Sequence, residues 1–432
     1  MGTQPGFALQ AGSRVAVIGA GISGLASAYF LSRRHAVTLF EAAGYLGGHT
    51  NSVELTLDRV KHPVDTGFLV FNDRTYPNLI ALFDELGVQS HKSDMSFSVS
   101  MDQGRLEWAG TDLNAVFAQR RNLFSPRFLG MLADILRFNR SSDAYLAAAR
   151  QSGETLGALL AREGYRERFT HHYLLPMAAA IWSSPADDVL AFPAATFLQF
   201  CQNHGLLQIA DRPQWRTVQG GGKAYVAQIA RHLTNIRLNC PVRGVQRDEA
   251  GVSLLLDTGE ERFDAVVLAT HAPDSLTLLR DADKVEHALL GAVRYQDNVA
   301  YLHSDPALLP RRHSVWSAWN YLGQTLDSGE RPVCVSYLIN RLQPLPFTQP
   351  VVVTLNPFKP PAAALTHGRY EYAHPLLDGP AIEAQRQLPA LQGYRRTWHA
   401  GAWTGYGFHE DGLKSALRVV ADFGLLPDWA RL

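Results

Sequence analysis

Three glycines near the start of the chain have a spacing that can hold a phosphate group. Gly19, Gly21 and Gly24 form a G-x-G-x-x-G pattern directly after the apolar run of residues 15–18. In such a pattern the first glycine permits a sharp turn, the second lets the backbone approach a pyrophosphate, and the third lets a helix pack closely on a sheet. The helix that follows, with Ser23 in its first turn, directs its partly positive N-terminus at the phosphates. The pattern predicts a dinucleotide site.

An acidic residue and a second glycine pair extend this prediction. Glu41 ends a second apolar run, where a carboxylate accepts hydrogen bonds from a ribose diol and would repel the 2′-phosphate of NADP. Gly47, Gly48, His49 and Thr50 follow after a short spacer. A second glycine loop here can lay more backbone against the same pyrophosphate, which a simple NAD dehydrogenase does not need. A glycine-rich turn in an ordinary α/β protein explains neither the acid nor the glycine pair.

These motifs resemble those of the FAD-dependent amine oxidase and phytoene desaturase superfamily, and two further segments carry the likeness. Residues 400–420, AGAWTGYGFHEDGLKSALRVV, are similar to the second flavin motif of that superfamily. The resemblance implies contacts from Trp403 and a helix beginning around Gly412 and Leu413, whose N-terminus stabilises negative charge on the flavin. In residues 236–272 it implies that the backbone of Val242 contacts adenine and that DAVVLAT is a buried parallel strand.

The resemblance implies an α/β fold with two discontinuous parts. We expect a Rossmann-like FAD-binding domain of the amine oxidase type from residues 12–75, 215–290 and 395–432. An α+β substrate domain would take residues 76–214 and 291–394.

Within that substrate domain, the first part reads as largely helical and the second as strand-rich. Residues 78–87 show helical apolar spacing and end in glycine, and runs between 299 and 372 are rich in β-branched and aromatic residues. We expect the second part to form a mixed sheet over the flavin. Residues 218–233 read as a glycine turn that opens a helix back in the FAD domain.

Composition limits the functional classes. The 432 residues include 40 basic and 40 acidic side chains, so no net charge attracts nucleic acid. The three cysteines contain no C-x-x-C pair, so neither a zinc site, any other metal site, nor a disulfide framework is indicated, and a reducing cytoplasm is expected. No apolar run approaches the length of a membrane-spanning helix, and the first one belongs to the nucleotide motif rather than to a signal peptide.

In a flavoenzyme the cofactor performs the difficult step, usually by accepting a hydride at N5, while the protein supplies position and electrostatics. Tyr406 is the candidate for a substrate-side wall, because the resemblance places an aromatic residue there; a packed loop tyrosine is the alternative. His409 is a candidate proton carrier, although residues 409–411 could instead cap the flavin helix. Lys223 could contact phosphate, or could be a solvated lysine at a helix start. His171 and His172 cannot share one helical face and are expected to be structural.

The chain departs from the amine oxidase pattern at three places. Ala402 occupies a position where relatives usually have an acid that holds the ribityl chain. Residues 297–303 lack the lysine that many amine oxidases place near N5. His49 stands where those enzymes commonly have arginine. These departures weaken the case for amine oxidation.

The expected substrate side is apolar. Phe197, Phe200, Cys201 and His204 would share a helical face, as a helix–helix core or as the wall of a long apolar tunnel. Residues 120–142 predict a basic amphipathic helix that lies on an anionic membrane surface or packs on the substrate domain. Its apolar stripe contains Phe128, Met131, Leu132 and Ile135, and its flanking arginines are Arg120, Arg121, Arg127, Arg137 and Arg140.

Long segments narrow the resemblance to a bacterial group of NAD/FAD-binding proteins linked to fatty acyl modification. They are residues 68–79, 176–184, 192–207 and 401–413. The likeness implies desaturation of a fatty acyl chain of a lipid, as on the route to furan fatty acids. Two alternatives stay open: a small-amine oxidase, and a flavin- and lipid-binding partner of a lipid methyltransferase without its own chemistry. We expect a cytoplasmic protein with peripheral contact at the inner membrane surface.

Overall fold

The computed structural model describes residues 9–182, 186–208, 212–324 and 333–432. In chain order, its strands are β1 (Arg14–Ile18), β2 (Ala36–Phe40), β3 (Ser52–Leu57), β4 (Val60–Asp65), β5 (Phe71–Asn72), β6 (Ser90–Lys92), β7 (Phe97–Met101), β8 (Leu106–Ala109), β9 (Trp215–Val218), β10 (Ile236–Arg237), β11 (Val242–Arg247), β12 (Val252–Leu256), β13 (Gly259–Phe263), β14 (Ala265–Leu268), β15 (Tyr295–His303), β16 (Trp319–Gly323), β17 (Val333–Leu338), β18 (Val352–Leu355), β19 (Thr366–Pro375) and β20 (Thr397–His399).

The helices, again in chain order, are α1 (Ile22–Leu31), α2 (Pro77–Leu86), α3 (Leu113–Val116), α4 (Pro126–Ser152), α5 (Leu156–Arg162), α6 (Glu167–Phe169), α7 (Leu175–Trp182), α8 (Ala186–Ala191), α9 (Ala194–Asn203), α10 (Lys223–Ala230), α11 (Ala272–Leu278), α12 (Lys284–Gly291), α13 (Ile339–Leu342), α14 (Gly379–Gln387) and α15 (His409–Asp422). A π-helical turn, Thr170–Leu174, joins α6 to α7, and a 3₁₀ turn, Arg120–Phe124, precedes α4.

A five-stranded parallel sheet carries the first glycine motif. Its order is β10-β2-β1-β14-β20, so it draws strands from three separate stretches of the chain. The strand predicted at DAVVLAT is confirmed as β14, which is buried throughout and pairs in parallel with β1. Because ligands bind beyond the carboxyl ends of such strands, the loops after β1, β2, β14 and β20 are placed to form one site.

A seven-stranded mixed sheet forms the second layer, with the order β19-β15-β18-β17-β16-β7-β8. Only β16 and β7 pair in parallel among its described strands. Its core-facing residues, including Ala300, Val335 and Val353, are fully buried. The prediction of a mixed sheet after residue 299 is confirmed, although β7 and β8 join it from the largely helical part.

Two elements assigned to the substrate domain pack instead on the nucleotide-binding core. Helix α2 places Leu79, Leu82 and Phe83 in the same apolar cluster as β1 and α1. Helix α14 places Ala381 and Ala384 against the opposite face of the parallel sheet. The apolar faces of these helices complete the nucleotide-binding core, and the predicted domain boundaries at residues 76 and 394 stay predictions.

The apolar stripe of residues 120–142 belongs to the interior. Phe128 and Met131 are fully buried, and Leu132 and Ile135 are packed on core clusters. The stripe packs on the substrate domain, as the second of the two predictions has it, and membrane contact by residues 120–142 stays a prediction. No helix in the described ranges combines the length and apolarity that crossing a bilayer requires.

Candidate functional site

A cavity of about 630 Å³ is lined by residues of both sheets and their loops. Residues 18–23 after β1, residues 47–49 and residues 401–403 border it on one side, and residues 372–375 of β19 border it on the other. Its volume lies within the range of roughly 300–1,000 Å³ that is typical of small-molecule and cofactor sites. Residues from each of the predicted nucleotide motifs thus border one cavity.

The three glycines of the first motif have different structural roles. Gly19 has φ +97°, and a Cβ on Gly24 would lie 1.8 Å from the carbonyl oxygen of Gly19, so both positions are closed to side chains. Gly21 caps α1 and lines the cavity, and none of the described atoms lies within 4 Å of its virtual Cβ. The space before the helix N-terminus is therefore open where a pyrophosphate needs it, and these residues fit a dinucleotide.

Glu41 fixes the turn that it faces. Its Oε2 accepts a hydrogen bond from the backbone N–H of Ala20 and its Oε1 accepts one from that of Ala43, both at 2.8 Å. Each carboxylate oxygen keeps a second lone pair. Because Glu41 also lines the cavity, as Val242 does, that remaining capacity is available to a ribose.

The second glycine loop lies directly against the first. Gly47 donates its N–H to the carbonyl oxygen of Ala20 at 2.8 Å, and a Cβ on Gly48 would come within 3.1 Å of the Cα of Gly21. Gly47 and Gly48 both have positive φ angles, 118° and 56°. The loop thus adds backbone to the same end of the cavity, as its sequence predicted.

His49 joins two histidines that sequence reasoning did not single out. Its ring centroid lies 5.5 Å from that of His374 and 6.2 Å from that of His271, and all three line the cavity. Nε2 of His49 is buried with no hydrogen-bond partner among the described residues. Burial lowers the pKa of His49 to about 3 and that of His374 to about 4, so both rings are neutral at pH 7. Of the two histidines that His49 joins, only His271 could have been found from the sequence, because it follows the strand predicted at DAVVLAT, which is β14.

Thr50 is not among the residues that line the cavity, and its assignment as a cofactor-binding residue stays a prediction. Its Oγ1 lies 2.6 Å from the hydroxyl of Tyr225 and 2.7 Å from Nε2 of His409, and the last two atoms are 3.1 Å apart. The His409 ring stacks on Phe68 at 3.6 Å, and burial lowers its pKa to about 3. With Nε2 engaged by two hydroxyls, His409 links three segments; its role as a proton carrier stays a prediction.

The C-terminal helix begins earlier than predicted. Helix α15 starts at His409, so Gly412 and Leu413 are its fourth and fifth residues. Ser23 Oγ donates to the carbonyl oxygen of Gly412 at 2.9 Å, and a Cβ on Gly412 would lie 2.7 Å from Ile22. Ser23 lines the cavity and also joins the two helices, whereas Gly24, Gly412 and Leu413 lie outside the lining. The cofactor contacts assigned to these residues stay a prediction.

The two acids at this helix start cap different helices. Asp411 Oδ2 accepts the backbone N–H of Phe408 at 3.0 Å, which confirms the predicted cap on α15. Glu410 instead accepts the backbone N–H groups of Asn78 at 3.1 Å and Leu79 at 2.9 Å, at the start of α2. The reason is that Glu410 points toward α2, whose first turn supplies unpaired donors.

Aromatic rings line the far end of the cavity. Phe200 lies 4.5 Å from Trp182, 4.2 Å from His204 and 5.0 Å from Phe408, measured between ring centroids, and Tyr406 is 5.7 Å away. Phe200 and His204 of the predicted helical face line the cavity, whereas Phe197 and Cys201 are buried in the core behind them. One part of that helical face therefore packs in a core between helices, and the other part forms a wall of the cavity.

The charged groups of the cavity are at its nucleotide end. Among the described lining residues, the carboxylates are Glu41 and Asp274. At the aromatic end, Nδ1 of His204 lies 3.2 Å from Thr75 Oγ1, and burial lowers its pKa to about 4. That end is thus apolar and neutral at pH 7.

Of the remaining candidates, Lys223, His171 and His172 lie outside the cavity lining, and Trp403 is part of it. Lys223 starts α10 and its Nζ pairs with Glu54, so it is a surface lysine. His171 and His172 are in the π-helical turn before α7. Trp403 does line the cavity, and its Nε1 donates to the carbonyl oxygen of Thr270 at 3.2 Å.

Comparisons with known proteins agree with this geometry. The profile of the family described as flavin containing amine oxidoreductase matches residues 22–303. A protein of Mycobacterium tuberculosis named as a flavin-containing monoamine oxidase is 26% identical over 339 residues, which cover 75% of this chain and 70% of that one. The 15-cis-phytoene desaturase of Narcissus pseudonarcissus is 28% identical over 184 residues, 39% of this chain and 31% of that one.

A solved structure with the same fold extends over nearly the whole chain. The fatty acid isomerase of P. acnes that produces CLA superposes with a TM-score of 0.67 over 95% of this chain and 98% of its own, at 16% identity. The predicted α/β fold, with its nucleotide-binding sheet and mixed second sheet, is confirmed.

Proposed function

The chain belongs to the flavin-containing amine oxidoreductase family and is an FAD-dependent oxidoreductase, and from this premise we propose that it desaturates a fatty acyl chain of a lipid. The observation that carries the proposal is the far end of the cavity, which is lined by aromatic and apolar side chains and lacks a carboxylate among the described residues. Transfer of a methylene chain from water to such a surface lowers its free energy. Transfer of an ammonium group would raise its free energy, because the group would lose its hydration and find no carboxylate to pair with.

The residues of the nucleotide end fit FAD. Gly21, Gly48 and the N-terminus of α1 would hold the pyrophosphate, Glu41 the ribose, and Val242 the adenine. When bound, FAD supplies the electron acceptor that takes a hydride equivalent from a C–H bond. The chain's own task is to place that bond, exclude water and receive the proton.

Tyr406 and Phe200 form a wall that orients an acyl chain by contact with their rings. His204 is the basic group at this end. Thr75 Oγ1 gives its own proton to Asn72 Oδ1 and lies 3.2 Å from Nδ1 of His204. In the tautomer that carries its proton on Nδ1, the ring donates to Thr75 Oγ1, and the lone pair of Nε2 can take the proton released from the substrate. Its lowered pKa keeps the ring unprotonated at pH 7.

The name of the structural neighbour is consistent with this substrate class, since a fatty acid isomerase uses the same fold. At 16% identity that likeness concerns the fold alone. The substrate therefore rests on the cavity lining.

A small amine is the second candidate, favoured by the relative named as a monoamine oxidase and by the ring cluster around Phe200. Aromatic faces attract cations, and a cluster of rings can hold an ammonium group without a carboxylate.

One anaerobic experiment separates the two. The purified holoenzyme is mixed with phospholipids that carry unsaturated or methyl-branched acyl chains, or with simple amines, and the visible absorbance of the flavin is followed. We expect bleaching by lipid and none by amines. Bleaching by amines alone would overturn the proposal in favour of amine oxidation. Stable colour with every compound would leave the protein as a flavin- and lipid-binding partner, and co-purification with a lipid methyltransferase would then be tested.

A further inference from the structure

A basic pocket opens on the surface apart from the cofactor cavity. It lies beside β7, β8 and the 3₁₀ turn before α4, and it shares no lining residue with the cavity. Its arginines are Arg105, Arg121, Arg168, Arg311 and Arg312. They come from four separate stretches of the chain, so the fold itself gathers them.

The pocket keeps an excess of positive charge. Glu107 is fully buried behind it and accepts Nη1 of Arg312 and the backbone N–H of Arg311, both at 2.7 Å. Asp102 is the carboxylate in the described lining. Five guanidinium groups facing two carboxylates leave about three uncompensated charges, an arrangement that favours an anion.

A buried amide points to the same kind of ligand. Asn122 lines the pocket with only 7% of its surface exposed, and its Nδ2 has no hydrogen-bond partner among the described residues. A buried N–H donor without an acceptor costs free energy comparable to a lost hydrogen bond. An anionic oxygen in the pocket would satisfy it.

Exposed apolar side chains lie at this pocket and in the segment that leads to it. Phe124, which lines the pocket, is 86% exposed, Leu123 is 42% exposed and Leu113 is 77% exposed. Residues 113–133 contain three arginines and no acidic residue. Large exposed apolar groups that adjoin basic side chains are typical of surfaces that contact anionic membranes.

We propose that this face docks on an anionic phospholipid surface. Phe124, Leu123 and Leu113 enter the boundary between headgroups and acyl chains, while a lipid phosphate occupies the arginine pocket and accepts from Asn122. The surface overlaps the predicted segment 120–142 at Arg121, Leu123 and Phe124, but it does not use the apolar stripe of α4, in which Phe128 and Met131 are buried. The inference deepens the proposed function by naming where a lipid substrate is met, yet it rests on separate residues.

The test is co-sedimentation of the holoenzyme with vesicles. We expect binding to vesicles of equimolar phosphatidylglycerol and phosphatidylcholine, weakened by salt, and little binding to phosphatidylcholine alone. The pair Leu123→Ser/Phe124→Ser and the pair Arg121→Gln/Arg168→Gln should each weaken binding at least tenfold, because each arginine near such a surface contributes roughly fivefold. Phe358→Ser and Arg386→Gln, which change exposed residues elsewhere, are the matched controls and should bind like the wild type.

Three outcomes overturn the docking surface. The first is that the protein does not bind the anionic vesicles at low salt. The second is that both double variants bind the vesicles as tightly as the wild type. The third is that the protein binds inorganic phosphate saturably but does not bind the vesicles. Flavin reduction by a detergent-dispersed lipid should be unchanged in these variants. If vesicle binding holds and no lipid reduces the flavin, the substrate proposal fails while the docking surface stands.

Discussion

The two ends of the cavity differ in the groups that line them: backbone at the nucleotide end, and aromatic side chains at the substrate end. At the nucleotide end, glycine turns and the N-terminus of α1 shape the space, and Glu41 is held by two backbone N–H groups. At the substrate end, the walls are rings from α7, α9 and the loop before α15. Backbone geometry demands particular residue types at fixed spacing, whereas a wall of rings accepts many sequences.

The largest expected effect separates two glycines of one motif. Gly24→Val should prevent stable folding, because the new Cβ meets the carbonyl oxygen of Gly19 at 1.8 Å. Gly21→Val should leave the thermal midpoint of the FAD-free protein unchanged, since its Cβ meets none of the described atoms within 4 Å, but abolish FAD binding. Thermal unfolding and the flavin retained after purification measure the two effects. A Gly21→Val protein that keeps its flavin would contradict the assignment.

Acidification should weaken the nucleotide end through its buried histidines. Burial holds the pKa of His49 and His409 at about 3 and that of His374 at about 4, below the ordinary 6.5. The unfolded state therefore binds more protons between pH 6.5 and 4, and the free energy of unfolding should fall in that window by on the order of 1–3 kcal/mol per histidine. Denaturant titrations at each pH measure it. His49→Asn should flatten the slope, and the exposed His287→Asn should not.

A smaller effect is expected from the hydroxyl that joins the segments of the nucleotide end. Tyr225→Phe removes the contacts to Thr50 and His409 but keeps the ring, so the free energy of unfolding should fall by about 1 kcal/mol. Urea unfolding of the FAD-free protein measures the change. An unchanged midpoint would show that Thr50 and His409 suffice to hold these segments.

The smallest effect is expected at the substrate end. Tyr406→Phe keeps the ring that packs near Phe200, so the rate of flavin reduction by lipid should change less than about threefold. Tyr406→Ala removes the wall and should raise KM about tenfold, the equivalent of roughly 1.4 kcal/mol of lost contact, with kcat little changed. A large loss of kcat in the phenylalanine variant would instead give the hydroxyl a chemical role.

Features that depend on neighbouring residues could be predicted from the sequence, whereas contacts between distant segments could not. Gly19, Gly24 and Glu41 were identified because a strand–turn–helix unit requires them locally. Glu410 was expected to cap its own helix, but its partners at Asn78 and Leu79 are more than 300 positions away in the chain, and no local pattern encodes that contact.

Amphipathic patterns leave a second gap. The stripe containing Phe128 and Met131 has the periodicity of a helix with one apolar face, and periodicity alone does not tell a protein interior from a membrane. Likewise, His49, His271 and His374 come together from three distant segments, so their proximity follows only from the folded sheets.

The position of β20 and α15 has a consequence for biosynthesis. Strand β20 completes the parallel sheet and α15 packs on α1, so the first motif is closed by a contact between residues that are 389 positions apart. At about 5–20 residues per second, a ribosome needs roughly 20–70 s to move from residue 50 to residue 400. During that interval the glycine turn exists without its closing helix, so the nucleotide end of the cavity is complete only after residues 397–422 have been synthesised.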